Sequence, residues 1–378
     1  MSGRVLSLVL NSFENDSRVL RACDSLVAAG YAVTVGALHE AGLPESEKVG
    51  AIDVERVALH TRGWSKWRPV QVLKYAEWVV RVVQRFRGYD IVHCNDINTL
   101  PAGVLLKALS RGNARIVYDA HEFESNRKAG QSRVSIRSLQ MLEGFLIRFA
   151  DKVITVSDGI ADEYARIYQI DRPDVVMNVP WLQQASSDDR FRHRFGLRQD
   201  QIIFLTQGVL SPNRGLEIML DTFAAMADDS RVLVIMGSGV LESRVRSYAQ
   251  RSANIFHHPA VPPDQVIAHT VAADYGIALI RGASFSYQHC LPNKLFEYLM
   301  AGLPVIVSDL PEMRAVVERM NLGVVCETFS VAALSGACDT LIGLDQAMLG
   351  RNVATARATF NWDTQQSVWL NVIATASR

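Results

Sequence analysis

The sequence predicts an α/β protein with two doubly wound domains, and two features of the chain support this. Its 378 residues are too many for one ordinary hydrophobic core. Short runs rich in Val, Ile and Leu also alternate with amphipathic stretches along most of the chain. Such runs are typical of strands that are buried on both faces, as in parallel sheets covered by helices. We therefore expect two sheets, each with helices packed against it.

The predicted strands form two groups on either side of a polar segment. The first group comprises 4–10, 31–38, 90–95, 115–120, 152–157 and 174–179. The second group comprises 202–208, 231–237, 275–280, 304–309 and 323–327. Between the strands, helical periodicity predicts helices over 16–29, 137–150, 215–228 and 240–252.

These groups define the predicted domains. The N-terminal domain is expected at 1–182 and the C-terminal domain at 201–358. A polar linker region without a strand is expected at 183–200. The remaining segment, 359–378, reads as an amphipathic helix with Trp362 and Trp369 as anchors.

Composition excludes several classes of protein. The formal net charge is zero, so no overall attraction to nucleic acid is expected. The five cysteines are scattered without a Cys-x-x-Cys pair, which is typical of reduced cytosolic thiols rather than of a disulfide or metal framework. The apolar stretch at 4–10 is too short for a signal peptide, and no apolar run is long enough to span a membrane. A cytoplasmic location is expected.

The segment 289–309, "HCLPNKLFEYLMAGLPVIVSD", predicts a ligand site at a helix start. Pro292 suits the first helical position and Gly302 a helix end. The first turn contains no acidic residue, so its positive end is available to an anion. Lys294 and Glu297 are three residues apart and share a face, where they can hold a phosphate and a pair of sugar hydroxyls. The alternative is an internal Lys–Glu pair on a solvated face.

Two further strand ends have the same character. In "TQGVLSPNRGLEIML", Gly208 follows a strand and Arg214 stands where the next helix begins, which predicts an anion site. The alternative is a surface arginine beside a turn. In "MGSGVLESRV", Gly237 opens a similar strand-to-helix connection, for which a plain tight turn is the alternative.

The stretch 291–318 resembles the nucleotide-binding segment of group 1 retaining glycosyltransferases, family GT4, which have the GT-B fold. Other parts of the chain agree in the same order: 15–35, 89–103, 115–123, 153–164 and 208–220. The resemblance implies two Rossmann-like domains that face each other across a cleft. It also implies that the second domain binds most of the donor, the first binds most of the acceptor, and the last helix crosses back to the N-terminal domain.

The resemblance assigns roles to individual residues. Glu297 matches the glutamate that grips the ribose hydroxyls, and Arg214 matches the basic residue that neutralises the donor diphosphate. His121 matches a histidine that faces the transferred sugar. Asn15 and Ser17 lie in the first strand-to-helix loop, near the phosphates and acceptor, where relatives often have glycines. Further donor contacts are expected at Gly208, Gly237 and Asn293.

Two positions depart from the family pattern. His289 stands where the family usually has a first glutamate in contact with the donor sugar, so the sugar and the need for a carboxylate there are open. Val209 stands where a second basic residue would serve the phosphates. Lys294, beside the same helix start, is the candidate replacement.

The implied reaction is metal-independent transfer with retention of configuration, by front-face attack. Asp-x-Asp, the metal-holding motif of the competing glycosyltransferase fold, is absent from the sequence, and no cofactor is expected. Arg214 and Lys294 would stabilise the departing diphosphate. His121 would orient the sugar and stabilise its positive charge through the imidazole dipole, although it is alternatively a core histidine. For Asp96, an acceptor-side role and a helix N-cap are both open.

The segment 61–88 combines tryptophans with arginines and lysines at helical spacing, which suits contact with an anionic membrane. A helix packed on the domain with a solvated basic face is the alternative. The leading hypothesis is a glycosyltransferase that uses a nucleoside diphosphate sugar and a glycan, lipid-linked or small-molecule acceptor. A non-hydrolysing nucleotide-sugar epimerase and an inactive nucleotide-sugar-binding protein are the alternatives.

Overall fold

The computed structural model describes residues 3–14, 16–127, 130–184, 186, 188–226 and 229–376. The chain divides into two compact units. One comprises Met1–Met177 with Gln366–Arg378, and the other comprises Asn178–Gln365. The division thus falls before the predicted linker region 183–200, which belongs to the second unit. A short helix forms there, because Phe191 is buried in the second unit and Arg190 Nη1 lies 2.9 Å from His269 Nδ1.

The first unit is built on a single sheet. Its strands are β1 (Arg4–Leu8), β2 (Ala32–Leu38), β3 (Ser46–Val49), β4 (Ile52–Val57), β5 (Ile91–Asn95), β6 (Arg115–Ala120), β7 (Lys152–Thr155) and β8 (Asp174–Val175). Their order is β3-β4-β2-β1-β5-β6-β7-β8, with parallel pairing except between β3 and β4. The central strands are buried along their length, as their continuous apolar runs predict.

Helices connect these strands. They are α1 (Ser17–Ala28), α2 (Arg68–Arg85), α3 (Leu100–Leu109), α4 (Arg133–Leu146) and α5 (Asp158–Tyr168). Helix α3 packs against both α2 and α4, so these three form one layer. Asp16 caps α1, since its side chain accepts a hydrogen bond from the backbone of Val19.

The end of the chain completes the core of the first unit. Trp369 is buried, its Nε1 donates a 3.1 Å hydrogen bond to the carbonyl of Ala22, and its ring lies 4.7 Å from the ring of His93. Trp362, by contrast, is buried in the second unit beside Trp181. One helix therefore contributes residues to both units.

The second unit contains a parallel sheet. Its strands are β9 (Ile202–Gln207), β10 (Arg231–Met236), β11 (Ile255–His258), β12 (Tyr275–Ala278), β13 (Val305–Ser308) and β14 (Gly323–Cys326), in the order β11-β10-β9-β12-β13-β14. Its helices are α6 (Arg190–Phe195), α7 (Leu216–Ala225), α8 (Glu242–Ala249), α9 (Val266–Thr270), α10 (Phe285–Gln288), α11 (Asn293–Ala301), α12 (Pro311–Met320), α13 (Val331–Gly343) and α14 (Gln346–Thr359). The helix α15 (Trp362–Ala376) follows them.

The two sheets place the loops of interest at the carboxyl ends of parallel strands, where ligands bind in open α/β sheets. Among the described residues, no helix combines the length and apolar character needed to cross a bilayer.

Candidate active site

The connection between β9 and α7 brings a cation to a strand end. Arg214 is half-buried, and its Nε is shielded from solvent without a hydrogen-bond partner among the described residues. Gly215 caps α7 in the left-handed conformation, with φ of 68°, where a side chain would be strained. A guanidinium with a buried, unpaired donor is suited to an anionic ligand, because burial makes each unmade hydrogen bond costly.

The loops after β9 and β10 lie in close contact. A Cβ atom built on Gly237 would lie only 1.9 Å from the carbonyl oxygen of Gly208, so position 237 must be glycine. The backbone N–H groups of these two glycines continue the strand pairing, bonding to His258 and Met236 respectively. Backbone packing thus explains Gly237 and a φ of 107° explains Gly208, and their predicted contact with a donor stays a prediction.

Helix α11 begins one residue later than predicted. Pro292 is the N-cap and Asn293 the first helical residue, while Gly302 ends the helix with φ of 89°. No side chain caps the start, and the first turn has no acidic residue, so its N–H groups and positive dipole end are available. The exposed Asn293 accepts a 2.8 Å hydrogen bond from Asn178 Nδ2.

Lys294 projects into the protein rather than into solvent. Only 6% of the residue is exposed, and its Nζ lies 3.3 Å from Thr206 Oγ1 at the end of β9. Burial and the neighbouring charge of Arg214 lower the pKa of Lys294 to about 7. This burial excludes the alternative of a solvated surface face for Lys294.

Glu297 is held at the carboxyl end of β9. Its Oε2 accepts a 2.7 Å hydrogen bond from Gln207 Nε2, while Gln207 Oε1 accepts from Thr270 Oγ1 at 2.8 Å. The hydroxyl of Tyr298 accepts a hydrogen bond from the backbone N–H of Gln207 and so helps to hold that residue in place. The half-buried carboxylate therefore has a fixed orientation. Gln207 and Thr270 were not predicted from the sequence, although the polar end of the apolar strand "IIFLTQ" is a signal for Gln207.

His289 has a carboxylate partner that the sequence analysis also missed. Its Nδ1 lies 3.3 Å from Glu312 Oε1, and its ring lies 4.5 Å from the ring of Phe285. The position that carries a histidine instead of the family's usual glutamate is therefore accompanied by an acid from α12. Val209, at the other departure, is 61% exposed.

The first unit contains a buried ion pair at the end of β6. Arg18 Nε and Nη2 donate to Asp119 Oδ2 and Oδ1 at 3.0 and 2.8 Å, and both residues are almost fully buried. Although burial favours the neutral acid, the charge of Arg18 holds the pKa of Asp119 well below its usual range. Neither residue was singled out from the sequence.

His121 lies just beyond β6, next to this pair. Its Nε2 lies 3.4 Å from Asp119 Oδ2 and 3.2 Å from Asn95 Oδ1, and its Nδ1 lies 3.7 Å from Asp96 Oδ1. Burial opposes the charged form, but Asp96 and Asp119 outweigh it and raise the pKa of His121 to about 9. A fifth of the His121 side chain is exposed, so it is not a fully buried core histidine, and its role toward the transferred sugar stays a prediction.

Asp96 follows β5 in the left-handed conformation, with φ of 62°. The N-cap of α3 is Thr99, so the alternative N-cap role for Asp96 is wrong. Asp96 Oδ1 and Glu124 Oε1 are both buried, and neither accepts a hydrogen bond from a donor in the described residues. Burial and the Asp96 carboxylate raise the pKa of Glu124 to about 9, so a proton on Glu124 can join the two acids.

Two further residues, Asn15 and Ser17, were predicted in the first strand-to-helix loop. Ser17 is the first residue of α1 rather than a loop residue, and it is half-buried. Asn15 lies outside the described residues. In the part of the chain that the structure describes, no group of three or more His, Cys, Asp or Glu side chains is arranged to hold a metal ion.

The structure therefore brings the predicted residues together in two sets. Lys294 and Glu297 lie with Arg214 in the second unit, and His121 lies with Asp96 in the first. Each set lies at the carboxyl ends of strands in its own sheet.

Comparison with known proteins identifies the family. Residues 16–181 match the model for the "Glycosyl transferase 4-like domain", and residues 201–343 match the model for "Glycosyl transferases group 1". A curated relative from Xylanimonas cellulosilytica, D-inositol 3-phosphate glycosyltransferase, is 23% identical over 82% of this chain and 78% of its own.

Solved structures are similar over the whole chain. Sucrose-phosphate synthase from Thermosynechococcus elongatus has a TM-score of 0.77 at 16% identity, over 98% of this chain and 99% of its own. HepE of Anabaena, in complex with UDP-glucose, has a TM-score of 0.74 at 16% identity, over 99% of this chain and all of its own. The predicted GT-B class, with two Rossmann-like domains, is confirmed. The chain belongs to the group 1 family of glycosyl transferases.

Proposed function

We propose that this enzyme transfers a sugar from a nucleoside diphosphate sugar to an acceptor hydroxyl, with retention of anomeric configuration and without a metal ion. One observation carries the proposal. The buried Lys294 lies in the first turn of the uncapped helix α11, within electrostatic range of Arg214 and one turn before a carboxylate, Glu297, whose orientation is fixed. Two cations with a helix dipole suit a diphosphate, and a fixed carboxylate suits the two hydroxyls of a ribose.

The donor proposed for the first test is UDP-glucose. HepE of Anabaena, which shares the fold, was solved with that compound. His289, with its Glu312 partner, is proposed to contact the transferred sugar. A histidine whose Nδ1 faces a carboxylate can present its Nε2 to a sugar hydroxyl.

The chemical step separates the sugar from the diphosphate, on which negative charge grows as the glycosidic bond breaks. Arg214, Lys294 and the N–H groups of α11 stabilise that charge by fixed electrostatics. In the proposed front-face attack, the acceptor oxygen forms the new bond on the face from which the diphosphate leaves. The departing phosphate oxygen takes the proton of the acceptor hydroxyl.

The first unit supplies the acceptor-side groups in this proposal. His121 orients the transferred sugar through a hydrogen bond donated by its Nδ1–H, since its Nε2 faces Asp119 and Asn95. Asp96 accepts a hydrogen bond from an acceptor hydroxyl and is held by His121 and by the proton on Glu124. The acceptor is a glycan, a lipid-linked sugar or a small molecule. Because curated relatives are named for D-inositol 3-phosphate, phosphorylated cyclitols are the first small molecules to test.

Calorimetry against UDP, GDP, ADP and TDP tests the donor site. Binding of one nucleoside diphosphate with micromolar affinity, abolished by R214A, is expected. A transfer assay with the matching donor sugar then supplies NMR spectra of the product anomer, with and without EDTA. Inversion, or loss of transfer in EDTA, contradicts the corresponding part of the proposal. An isomerised donor formed without any acceptor indicates an epimerase instead.

A further inference from the structure

Helix α4 in the first unit exposes large apolar side chains. Val134, Met141 and Phe145 are 77%, 63% and 61% exposed, and Leu142 and, just after the helix, Phe149 are also exposed. Met141 and Phe145 are four residues apart, so they form one stripe along the helix. Single exposed apolar residues are ordinary, but a cluster of this kind on one element marks an interaction surface.

The charges on the same surface have one sign. Arg133, Arg137 and Arg148 are exposed. The one acidic residue of α4, Glu143, is buried and accepts hydrogen bonds of 2.6, 2.5 and 2.6 Å from the hydroxyls of Tyr118, Tyr164 and Tyr168. The surface that α4 offers to solvent is therefore apolar and cationic, and it carries no negative charge of its own.

A cleft of about 420 Å³ opens on this surface, between α4 and the end of α5. Its walls include Arg137, Met141, Phe145, Arg148 and Tyr168. Two guanidiniums thus border an apolar cleft. This combination suits a phosphate group attached to hydrocarbon, because guanidinium pairs with phosphate and the apolar wall removes hydrocarbon from water.

We propose that the exposed face of α4, with this cleft, docks the first unit on an anionic phospholipid bilayer. Met141 and Phe145 enter the boundary between headgroups and acyl chains, while the three arginines pair with lipid phosphates. The inference is independent of which sugar is transferred, and it does not depend on the donor site in the second unit.

The basic segment 61–88, whose aromatic and basic composition also suits membrane contact, is a weaker candidate. Its buried Trp78 packs in the domain, and Lys74 Nζ donates to the carbonyls of Arg62 and Trp64. The cations further along α2 are paired, Arg81 with Glu77 and Arg85 with Glu55.

Two features of that segment remain suited to a membrane. Trp64 and Trp67 are exposed, and α3, between α2 and α4, exposes Leu105 and Leu109. The layer can thus extend the contact that the face of α4 makes.

Sedimentation with vesicles tests the proposal. The intact protein is mixed with vesicles of phosphatidylcholine alone or with one third phosphatidylglycerol, at low and high salt. We expect binding to the anionic vesicles that weakens at high salt. In R137Q/R148Q the partition coefficient should fall about fivefold for each arginine removed. In M141S/F145S it should fall at least roughly tenfold.

Control variants separate this surface from others. V240S removes an equally exposed valine, at 77%, from the second unit and should bind like the wild type. W64S/W67S tests the segment 61–88. Unchanged melting temperatures would show that all variants are folded, which is expected because the side chains are exposed.

Three results would overturn the proposal. Absence of anionic-vesicle binding by the wild type is the first. Binding that is lost in W64S/W67S but retained in both α4 variants is the second. The third is a dimer, measured by light scattering, that M141S/F145S dissociates while vesicle binding is unaffected, since this would identify the occupant as a second copy.

Discussion

Gln207 Nε2 donates a 2.7 Å hydrogen bond to Glu297 Oε2, although the two residues are 90 positions apart in the chain. Thr270 Oγ1 donates a hydrogen bond to Oε1 of the same Gln207 side chain. The carboxylate is therefore oriented before any ligand binds, so little conformational entropy remains to be lost on binding.

Replacing Glu297 by alanine should weaken binding of the nucleoside diphosphate by about 2 kcal/mol, roughly thirtyfold in Kd, because hydrogen bonds to a charged group are lost. Isothermal titration calorimetry measures the change. E318Q, on the exposed side of α12, is the control and should bind normally. An unchanged Kd in E297A would show that the ribose is held elsewhere.

Binding of the diphosphate should weaken as pH rises above about 7. The pKa of Lys294 is lowered to about 7 in the free protein, so the amine is largely neutral at pH 8. A bound diphosphate favours the charged amine and raises that pKa, so binding takes up a proton and Kd increases by up to about tenfold per pH unit. Calorimetry in two buffers of different ionisation enthalpy counts the protons.

The phosphates of the nucleotide can also take up protons, and the variant K294M controls for that contribution. It should bind more weakly at pH 6.5 and should lose the proton uptake at pH 8. Equal proton uptake by the variant and the wild type would remove Lys294 from the phosphate site.

Introducing arginine at Val209 should strengthen diphosphate binding by about 1 kcal/mol, roughly fivefold, at low salt. The gain is modest because the position is exposed, where ion pairs contribute little. V240R adds the same charge at another exposed position of the second unit. A similar gain in V240R would attribute the effect to net charge rather than to the site.

The buried Arg18–Asp119 pair should make a large contribution to stability. D119N leaves a buried guanidinium without its counter-charge and should lower the free energy of unfolding at pH 7 by about 3 kcal/mol. D53N breaks the exposed pair with Lys48 and should change it by less than about 0.5 kcal/mol. Urea unfolding followed by fluorescence measures both.

The same pair gives a pH dependence of defined sign. The pKa of Asp119 is lower in the folded than in the unfolded protein, so its stabilisation is present above the unfolded pKa, about 4, and is lost as pH falls toward the folded value. The difference between D119N and the wild type should therefore shrink from pH 5 toward pH 3. A difference that is constant over this range would contradict the ionised pair.

Removal of His121 should lower kcat about a hundredfold, because a preorganised donor to the transferred sugar is lost. Affinity for UDP should be unchanged, since UDP lacks that sugar. Wild-type kcat should also decline above pH 9, as the imidazolium loses its proton. Hydrolysis of the donor by water gives a rate that can be measured without an acceptor. Weaker UDP binding in H121A would place His121 at the nucleotide instead.

Local patterns predicted most of the fold, and the exceptions have a physical reason. The central strands are buried on both faces, so each is recognisable in the sequence as a continuous apolar run. β4, "IDVERV", alternates between buried Val54 and exposed Asp53. A search for continuous apolar runs passes over a strand of that kind.

The candidate site was predictable only in part. Helical spacing alone places Lys294 and Glu297 on one face, and the resemblance adds Arg214 and His121. The groups that orient them were not predictable, because Gln207 meets Glu297, and Arg18 meets Asp119 across 101 positions, only through the tertiary structure. Spacing along a chain carries no information about such contacts.

The position of Trp369 has a consequence for biosynthesis. Its indole packs against His93 and donates a hydrogen bond to the carbonyl of Ala22. Both of these residues are synthesised long before Trp369. The core of the first unit therefore stays open until residue 369 has been synthesised. A premature stop codon before that position would leave this unit incomplete and a target for proteases.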